Sequence, residues 1–190
     1  VPVTANTYPY SVTDANGCVD TGTAYVTQPS PITFTPSITH VSCNAGNDGT
    51  ASLGPISGGT PPYTIDWGGL DSNALSAGTY TINITDGAGC ADSVTFTINE
   101  PDALVISEAT IHILCNGQNT GSIDINVTGG TTPYSYLWDN GSTSEDLTAL
   151  FAGIYTVTVT DSANCTETLQ VTVNESSPLS ISESIVNVTC

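Results

Sequence analysis

Six cysteines are the residues of this sequence with the most definite chemistry, and their surroundings divide them into two sets. One set ends Asp-led segments such as TDGAGC, and the other follows apolar runs such as ITHVSC. The first set is Cys18, Cys90 and Cys165, and the second is Cys43, Cys115 and Cys190. No CxxC pair of the zinc-binding type is present, so the pattern favours disulfides, which persist in oxidising compartments outside the cytoplasm.

Four aspartates are candidates for calcium ligands. Asp14, Asp86 and Asp161 lie at the same place in three copies of one segment, and Asp48 lies in a loop. Calcium is bound by oxygen ligands, so acidic turns of an extracellular protein could hold it. The simpler interpretation is stronger, because an Asp that begins a turn accepts hydrogen bonds from the backbone N–H groups that follow it. We therefore expect no cofactor.

Catalytic sets are not found. His40 and His112, which lie three residues before a cysteine, have no recurring Asp, Glu or Ser partner nearby in sequence, so we expect them to be ordinary strand residues. A phosphate site also lacks its usual donors, because the chain has no Lys or Arg. The sequence therefore predicts a protein that is not an enzyme.

The segment AGTYTINITDGAGC, residues 77–90, is written three times. ANTYPYSVTDANGC (5–18) comes 72 residues earlier and AGIYTVTVTDSANC (152–165) comes 75 residues later. Its apolar residues alternate with Thr and Asn, which is typical of a half-buried strand, and the Asp-Gly-rich end predicts a turn followed by a returning strand. The chain is therefore a tandem array.

The period sets the domain boundaries. We predict complete repeats at 30–101 and 102–176, preceded by the C-terminal part of a repeat at 1–29 and followed by the first strand of a further repeat at 177–190. The chain is therefore expected to be a piece of something longer. The joints between repeats are only two to four residues long before the next apolar run, too short for flexible linkers, so the repeats should form a stiff, extended rod.

Each repeat reads as six or seven short strands with a Trp on the third. This pattern predicts an all-β fold of tandem immunoglobulin-like (PKD-like) β-sandwich repeats. Leu75-x-x-Gly78-x-Tyr80 and Leu150-x-x-Gly153-x-Tyr155 have the spacing of a tyrosine corner. The core is predicted to contain Tyr63, Ile65, Trp67, Tyr80, Ile82, Ile84, Val94, Phe96 and Ile98, and in the next repeat Tyr134, Tyr136, Trp138, Tyr155, Val157, Val159, Leu169, Val171 and Val173.

The pairing of the cysteines follows from the predicted strand directions. Within one repeat the two cysteines should lie at opposite ends of the sandwich, too far apart for a disulfide. Stacking of successive repeats would bring Cys43 beside Cys165. An alternative register remains open because it uses all six cysteines, and it pairs Cys18 with Cys43, Cys90 with Cys115, and Cys165 with Cys190.

The charge limits the partners. The chain has 18 acidic residues and a formal net charge of −18. Nucleic acids and anionic membranes need basic side chains, so neither is an expected partner. No apolar run is long enough for a membrane-spanning helix. Neighbouring repeats of the same chain and other copies of a filament are the expected partners, and a surface polysaccharide is a further candidate.

Three motifs resemble the SprB repeat family, whose members are strung along cell-surface adhesins of gliding Bacteroidota. They are VSCNAGNDGTA, SGGTPPYTIDW, and LSAGTYTINITDGAGC followed by a strand ending in TINEP. The chain departs from the family pattern at turns, for example at Thr132 and Asn164. The resemblance implies an extracellular, cell-surface location and a non-enzymatic structural role in a large adhesin or filament of the kind used in cell adhesion and gliding motility.

Two further readings complete the expectations. Asp92-Ser93-Val94 and Asp161-Ser162-Ala163 resemble the O-glycosylation site of Bacteroidota, so Ser93 and Ser162 are glycosylation candidates. The alternative function is a carbohydrate-binding accessory module of a secreted protein, with outward Thr rows such as Thr156, Thr158 and Thr160 as the contact surface. Sugar sites usually present exposed aromatic side chains, whereas the Tyr and Trp residues here are predicted to point inward.

Overall fold

The computed structural model describes residues 4–187, and every regular element in that range is a β-strand. The all-β prediction is confirmed. The strands are β1 Asn6–Thr13, β2 Val19–Val26, β3 Pro36–Thr39, β4 Thr50–Leu53, β5 Thr64–Asp66, β6 Gly78–Thr85, β7 Ala91–Ile98, β8 Val105–Ile111, β9 Gly121–Thr128, β10 Ser135–Trp138, β11 Leu147–Leu150, β12 Gly153–Thr160 and β13 Thr166–Val173. No helix with the length and apolar character of a membrane span occurs among these residues.

The chain divides into two compact units. The first comprises the described part of Val1–Thr39 together with Thr50–Asn73 and Thr79–Thr97. The second comprises His40–Gly49, Ala74–Gly78 and the described part of Ile98–Cys190. Residues of the predicted repeat 30–101 therefore occur in both units.

The second unit contains two three-stranded antiparallel sheets, ordered β11-β9-β8 and β10-β12-β13. Alternating Val and Thr residues in β12 place Val157 and Val159 fully inside, with no exposed surface. Strand β13 packs against β8 and β9, so the apolar faces of the two sheets share one core. Its buried members are Ile113, Ile123, Ile125, Trp138, Leu147, Leu150, Val157, Val159, Val171 and Val173.

The tyrosine corner of this unit is present. The Tyr155 hydroxyl donates a 3.0 Å hydrogen bond to the Phe151 carbonyl oxygen, four residues earlier. Tyr8, the equivalent residue in β1, donates to the Thr4 carbonyl oxygen at 2.8 Å. The Leu-x-x-Gly-x-Tyr spacing thus corresponds to a real backbone anchor at the start of a late strand.

The first unit contains sheets β1-β2, β3-β4 and β5-β6-β7. Its buried apolar residues are Ile32, Ala51, Ile82, Ile84 and Phe96. Strand β4 has four residues where its counterpart β9 has eight, because Gly54 and Pro55 follow it directly and a Pro cannot donate a ladder hydrogen bond.

Two members of the predicted core are less buried than expected. Ile65 is 41% exposed because β5 has only three residues and lies at the edge of its sheet. Trp67 is half-buried, whereas Trp138 is 1% exposed. The longer connection after Trp138 explains the contrast, since the indole N–H donates to the Ser144 carbonyl oxygen at 2.9 Å and the connection continues into β11. The remaining predicted core residues are buried or half-buried.

Candidate functional site: the Cys43–Cys165 joint

One turn of the second unit is organised by a buried carboxylate. Asp161 is 4% exposed and lies between β12 and β13. Its Oδ1 accepts hydrogen bonds from the backbone N–H groups of Ala163 and Cys165, both at 2.9 Å. Its Oδ2 accepts the N–H of Thr131 at 2.8 Å. The carboxylate therefore fixes the position of Cys165 and ties the turn to a distant corner of the chain.

The first unit repeats this arrangement. Asp86 is 5% exposed, and its Oδ1 accepts the N–H groups of Ala88 at 3.0 Å and Cys90 at 2.8 Å. Its Oδ2 accepts the N–H of Thr60 at 2.8 Å. A third turn is similar in part, because Oδ1 of Asp14 accepts the N–H of Cys18 at 2.8 Å. In all three turns, Oδ1 of the aspartate accepts the backbone N–H of the cysteine four residues later.

These hydrogen bonds keep the buried carboxylates ionised. The N–H groups of Cys90 and Thr60 hold the pKa of Asp86 below its ordinary value, against the opposing effect of burial. Burial is the largest single influence on Asp161 and raises its pKa, but the N–H groups of Thr131, Cys165 and Ala163 together outweigh it and the pKa is lowered. Asp86 and Asp161 are therefore expected to be carboxylate anions that are stabilised by backbone N–H donors.

The four aspartates that were candidates for calcium ligands accept hydrogen bonds from backbone N–H groups. Asp48 accepts the backbone N–H of Ser42 at 3.0 Å and also its hydroxyl, and these hydrogen bonds lower its pKa. Between residues 4 and 187, no group of three or more His, Cys, Asp or Glu side chains is arranged to hold a metal ion. The geometry of these aspartates is that of turn-forming residues, and calcium binding stays an untested idea.

The corner that meets Asp161 requires glycine. Gly129 has a φ of 75°, and a Cβ there would lie 1.9 Å from the Ala103 carbonyl oxygen. The Tyr134 hydroxyl closes the corner by donating to the Gly129 carbonyl oxygen at 2.6 Å. In the first unit, Gly58 and Tyr63 form the same contact at 2.5 Å. The Gly-Gly-Thr-x-Pro-Tyr motif therefore forms a backbone corner, and the backbone N–H of its Thr residue donates to the turn aspartate.

The loop that carries Cys43 is held by the segment 99–101. His40 accepts the N–H of Asn99 on Nδ1 at 3.1 Å, and the N–H of Val41 donates to the Asn99 carbonyl oxygen at 3.0 Å. The N–H of Ala45 donates to Oε2 of Glu100 at 2.5 Å. Asn44 donates its side-chain amide to the Pro101 carbonyl oxygen at 3.1 Å. These four contacts define the shape of the loop.

The loop of Cys115 has the same four contacts. His112 accepts the N–H of Asn174 at 3.2 Å, and the N–H of Ile113 donates to the Asn174 carbonyl oxygen at 2.8 Å. The remaining pair joins the N–H of Gly117 to Oε2 of Glu175 at 2.7 Å and the Asn116 amide to the Ser176 carbonyl oxygen at 3.3 Å. The two histidines are thus hydrogen-bond acceptors in strand-end contacts.

Cys43 and Cys165 are joined by a disulfide, with Cα atoms 5.6 Å apart. We call this pair, with its loop 40–46 and its turn 161–165, the Cys43–Cys165 joint. The structure does not contain the alternative register: Cys43 and Cys165 are bonded to each other, and Cys18, Cys90 and Cys115 are free and exposed. Cys190 lies outside the described residues. The reason is geometric, because the loop and the turn meet within disulfide range.

The two glycosylation candidates are both exposed. The Ser162 hydroxyl donates to the carbonyl oxygens of Thr131 at 2.9 Å and Thr132 at 3.0 Å. Ser93 lies in β7, and its N–H donates to Oδ1 of Asp92 at 2.8 Å. The Ser162 hydroxyl is therefore engaged with the corner. Modification of either residue stays a prediction.

Three specific backbone contacts were not predicted from the sequence. Glu100 and Asn44 were not singled out, and Tyr63 was predicted only as a core residue, although each makes a hydrogen bond to the backbone. A signal was available. Glu175, Asn116 and Tyr134 occupy the equivalent places and make equivalent contacts, so recurrence of a polar residue at the repeat period could have identified them.

Two segments of the chain are similar to one known repeat family. A model of the SprB repeat family matches residues 35–72 and 109–143, which together make up less than half of the chain. The predicted resemblance is confirmed for these two segments. A search of curated proteins found no match.

Solved structures give weaker similarities. The C-terminal 282-residue fragment of intimin, in complex with the intimin-binding domain of the translocated intimin receptor, has 17% identity over 88% of this chain and a TM-score of 0.36. The N-terminal four Ig domains of Dscam1 isoform 9.44 have 13% identity over 85% of this chain and a TM-score of 0.31. The alignments cover 57% and 51% of those proteins. Both scores are low, so neither similarity decides the fold or the function.

Proposed function

From the two segments that match SprB repeats, we propose that the chain is a non-enzymatic structural repeat module of a large extracellular cell-surface adhesin or filament. One observation carries the proposal. The polar residues that recur in successive copies, namely the turn aspartates, the histidines and the loop Asn and Glu residues, are all used in hydrogen bonds to the backbone. Residues used in this way maintain the shape of the repeat.

The covalent joint supports the same role. Cys43 and Cys165 are 122 residues apart in sequence, so their disulfide closes a long loop and restricts the unfolded chain. A protein that carries mechanical load or meets proteases outside the cell benefits from such a bond. Structural disulfides are typical of oxidising environments, which agrees with an extracellular location.

The charge supports an exposed surface role. With a net charge of −18 and no Lys or Arg, the chain has no possible ion pairs between side chains other than those of its two histidines. Like-charged copies repel at neutral pH, which keeps them soluble and separate. The extended rod, the link to gliding motility and a surface polysaccharide partner are finer parts of the proposal that need their own measurements.

The location can be tested with antibodies raised against the purified chain. On intact cells that produce the parent protein, we expect labelling at the surface and no additional labelling after permeabilisation. An antibody to a cytoplasmic protein serves as the control for membrane integrity. Labelling that requires permeabilisation would contradict an extracellular role.

A second experiment distinguishes the structural role from the alternative function, carbohydrate binding. A screen of the purified chain against immobilised glycans should find no reproducible binding if the repeats are structural. Cells that lack the parent protein should nevertheless attach to surfaces less than producing cells. Millimolar or tighter glycan binding by the chain itself would favour the alternative.

A further inference from the structure

A cleft in the first unit opens beside the free, exposed thiol of Cys90. It has a volume of about 430 Å³ and is lined by residues 28–32, Gly59, Asp86 and residues 90–92. No residue of the loop 40–46 or the turn 161–165 lines this cleft.

The second unit contains the equivalent cleft. Residues 101–104, Gly130 and residues 164–167 line a space of about 360 Å³. By sequence, these correspond to residues 29–32, Gly59 and residues 89–92 of the first unit. Cys43 and Asn44 form a wall of the second cleft that the first cleft does not have, and Gln28 and Asp86 line only the first. The cleft beside Cys90 thus resembles the cleft beside Cys165, but no Cys-Asn loop from residues 4–187 lies against it.

The two turn cysteines are presented in the same way. The Cys90 N–H lies 2.8 Å from Oδ1 of Asp86, and the Cys165 N–H lies 2.9 Å from Oδ1 of Asp161. The carbonyl oxygens of the two cysteines accept the N–H groups of the same two aspartates at 2.9 and 3.0 Å. The backbone of Cys90 is therefore held by the same hydrogen bonds as the backbone of the disulfide-bonded Cys165.

The acceptors that hold the loop are also available in the first unit. In the joint, the N–H of Ala45 donates to Glu100 and the Asn44 amide donates to the Pro101 carbonyl oxygen. The corresponding residues are Gln28 and Pro29, which both line the cleft beside Cys90. A Gln side-chain oxygen accepts an N–H as a Glu oxygen does, although without the charge. The cleft thus has counterparts of the Glu100 and Pro101 acceptors, which make two of the four contacts of the Cys43 loop.

We propose that the cleft beside Cys90 is a covalent docking site for a Cys-Asn loop of another repeat of this type. The loop cysteine bonds to Cys90, the loop Asn donates to the Pro29 carbonyl oxygen, and the following N–H donates to Gln28. This proposal goes beyond the structural role, because it assigns a binding partner to a defined surface. The in vitro test below does not depend on where the protein is located.

The chemistry is a thiol–disulfide exchange. The incoming loop cysteine is carried as a mixed disulfide with glutathione. The Cys90 thiolate attacks the sulfur of the loop cysteine, the new disulfide forms, and glutathione leaves as a thiolate that takes up the proton lost by Cys90. One disulfide is broken and one is formed, so no other oxidant is needed.

The test uses the nonapeptide VSCNAGNDG, which reproduces residues 41–49, as its glutathione mixed disulfide. It includes Asp48, whose contact with Ser42 lies within the peptide. The full chain, with its joint intact, is incubated with the peptide and digested with an Asp-specific protease. Mass spectrometry then gives the extent of peptide attachment at Cys90 and at Cys115. Cys115 is also exposed but belongs to a loop, and it is the internal reference.

We expect the peptide to modify Cys90 about tenfold faster than Cys115, after each rate is divided by that for oxidised glutathione alone. One or two additional hydrogen bonds account for a factor of this size. A peptide with Ala in place of Asn should lose most of the preference. The Ala91→Trp chain should also lose it, because the indole fills the cleft, while its Cys90 should still react with oxidised glutathione.

Equal normalised rates at Cys90 and Cys115 would overturn the proposal, because Cys90 would then be an ordinary exposed thiol. A preference that is unchanged in both the Ala peptide and the Ala91→Trp chain would overturn it as well. Neither result would affect the surface-labelling test of the proposed function.

Discussion

The backbone N–H of Thr131 lies 2.8 Å from Oδ2 of Asp161, although the two residues are 30 positions apart. Thr60 and Asp86 make the same contact at 2.8 Å across 26 positions in the first unit. The contact joins the Gly-Gly-Thr corner to the turn that presents a cysteine. Two motifs that are separate in sequence therefore act as one structural element.

Replacement of Asp161 by Asn should lower the thermal midpoint of the second unit. The amide has only one oxygen, so it cannot accept the N–H groups of Thr131, Ala163 and Cys165 as the carboxylate does. Asp124→Asn is the matched control, because Asp124 is exposed on β9 and loses the same charge. Circular dichroism melts compare them. Equal shifts in the two variants would mean that net charge alone is responsible.

Acid should remove the contribution of the turn aspartates. The pKa values of Asp86 and Asp161 are lowered in the folded chain, so the folded state binds fewer protons than the unfolded state. Their stabilisation is fully present above the ordinary Asp pKa of about 3.9 and is lost as the pH falls through the lowered folded values.

The measurement is the difference in thermal midpoint between the wild-type chain and Asp161→Asn at successive pH values from 7 downwards. The difference should shrink below about pH 4. Protonation of other carboxylates relieves repulsion in both proteins equally, so it cancels in the difference. A constant difference down to the lowest pH would contradict the linkage.

The Gly129→Ala variant should be destabilised more than Gly141→Ala. Both glycines have positive φ, 75° and 86°, so each substitution carries the left-handed penalty of about 1 to 2 kcal/mol. Only at Gly129 would the new Cβ meet a carbonyl oxygen, at 1.9 Å, whereas Gly141 has nothing within 4 Å. The clash should add about 1 to 3 kcal/mol. Urea unfolding would measure both variants, and equal losses would contradict a tight corner.

The Ala45→Gly variant should be more stable than the wild-type chain. Ala45 has a φ of 57°, and Gly117 occupies the same place in the Cys115 loop with a φ of 75°. Release of the left-handed strain should contribute about 1 kcal/mol, reduced by the greater freedom of glycine in the unfolded chain. The reverse variant, Gly117→Ala, should lose a similar amount. Denaturant titrations would compare them, and stabilisation by both changes would be inconsistent with the loop conformation.

The two tryptophans should differ in fluorescence and in their contributions to stability. Trp138 is 1% exposed and hydrogen-bonded to Ser144, whereas Trp67 is half-buried. The emission of a Trp67→Phe chain should therefore be at shorter wavelength than that of a Trp138→Phe chain. Trp138→Ala should cost about 3 to 5 kcal/mol, and Trp67→Ala clearly less. Similar spectra in the two chains would contradict the difference in burial.

Local patterns predicted much of the fold. Alternation of apolar residues with Thr located β6, β7, β12 and β13, and Asp-led turns separated the strands of each pair. The tyrosine at the start of β12 and the shortened strand β4 before Pro55 also follow from residue types at fixed positions. These features depend on interactions between residues that are close in sequence, so they can be predicted from the order of residue types.

The sequence by itself determined the strand pattern, the repeat period, the acidic charge and the positions of the glycine corners. Which side chains are buried at a sheet edge depended on the tertiary structure, because the length of a connection decides whether Trp138 is covered and Trp67 is not. The roles of Glu100, Asn44 and Asp161 were also decided there, since each binds backbone groups 30 or more residues away. A hydrogen bond needs two groups within about 3 Å, and for residues so distant in sequence only folding sets that distance.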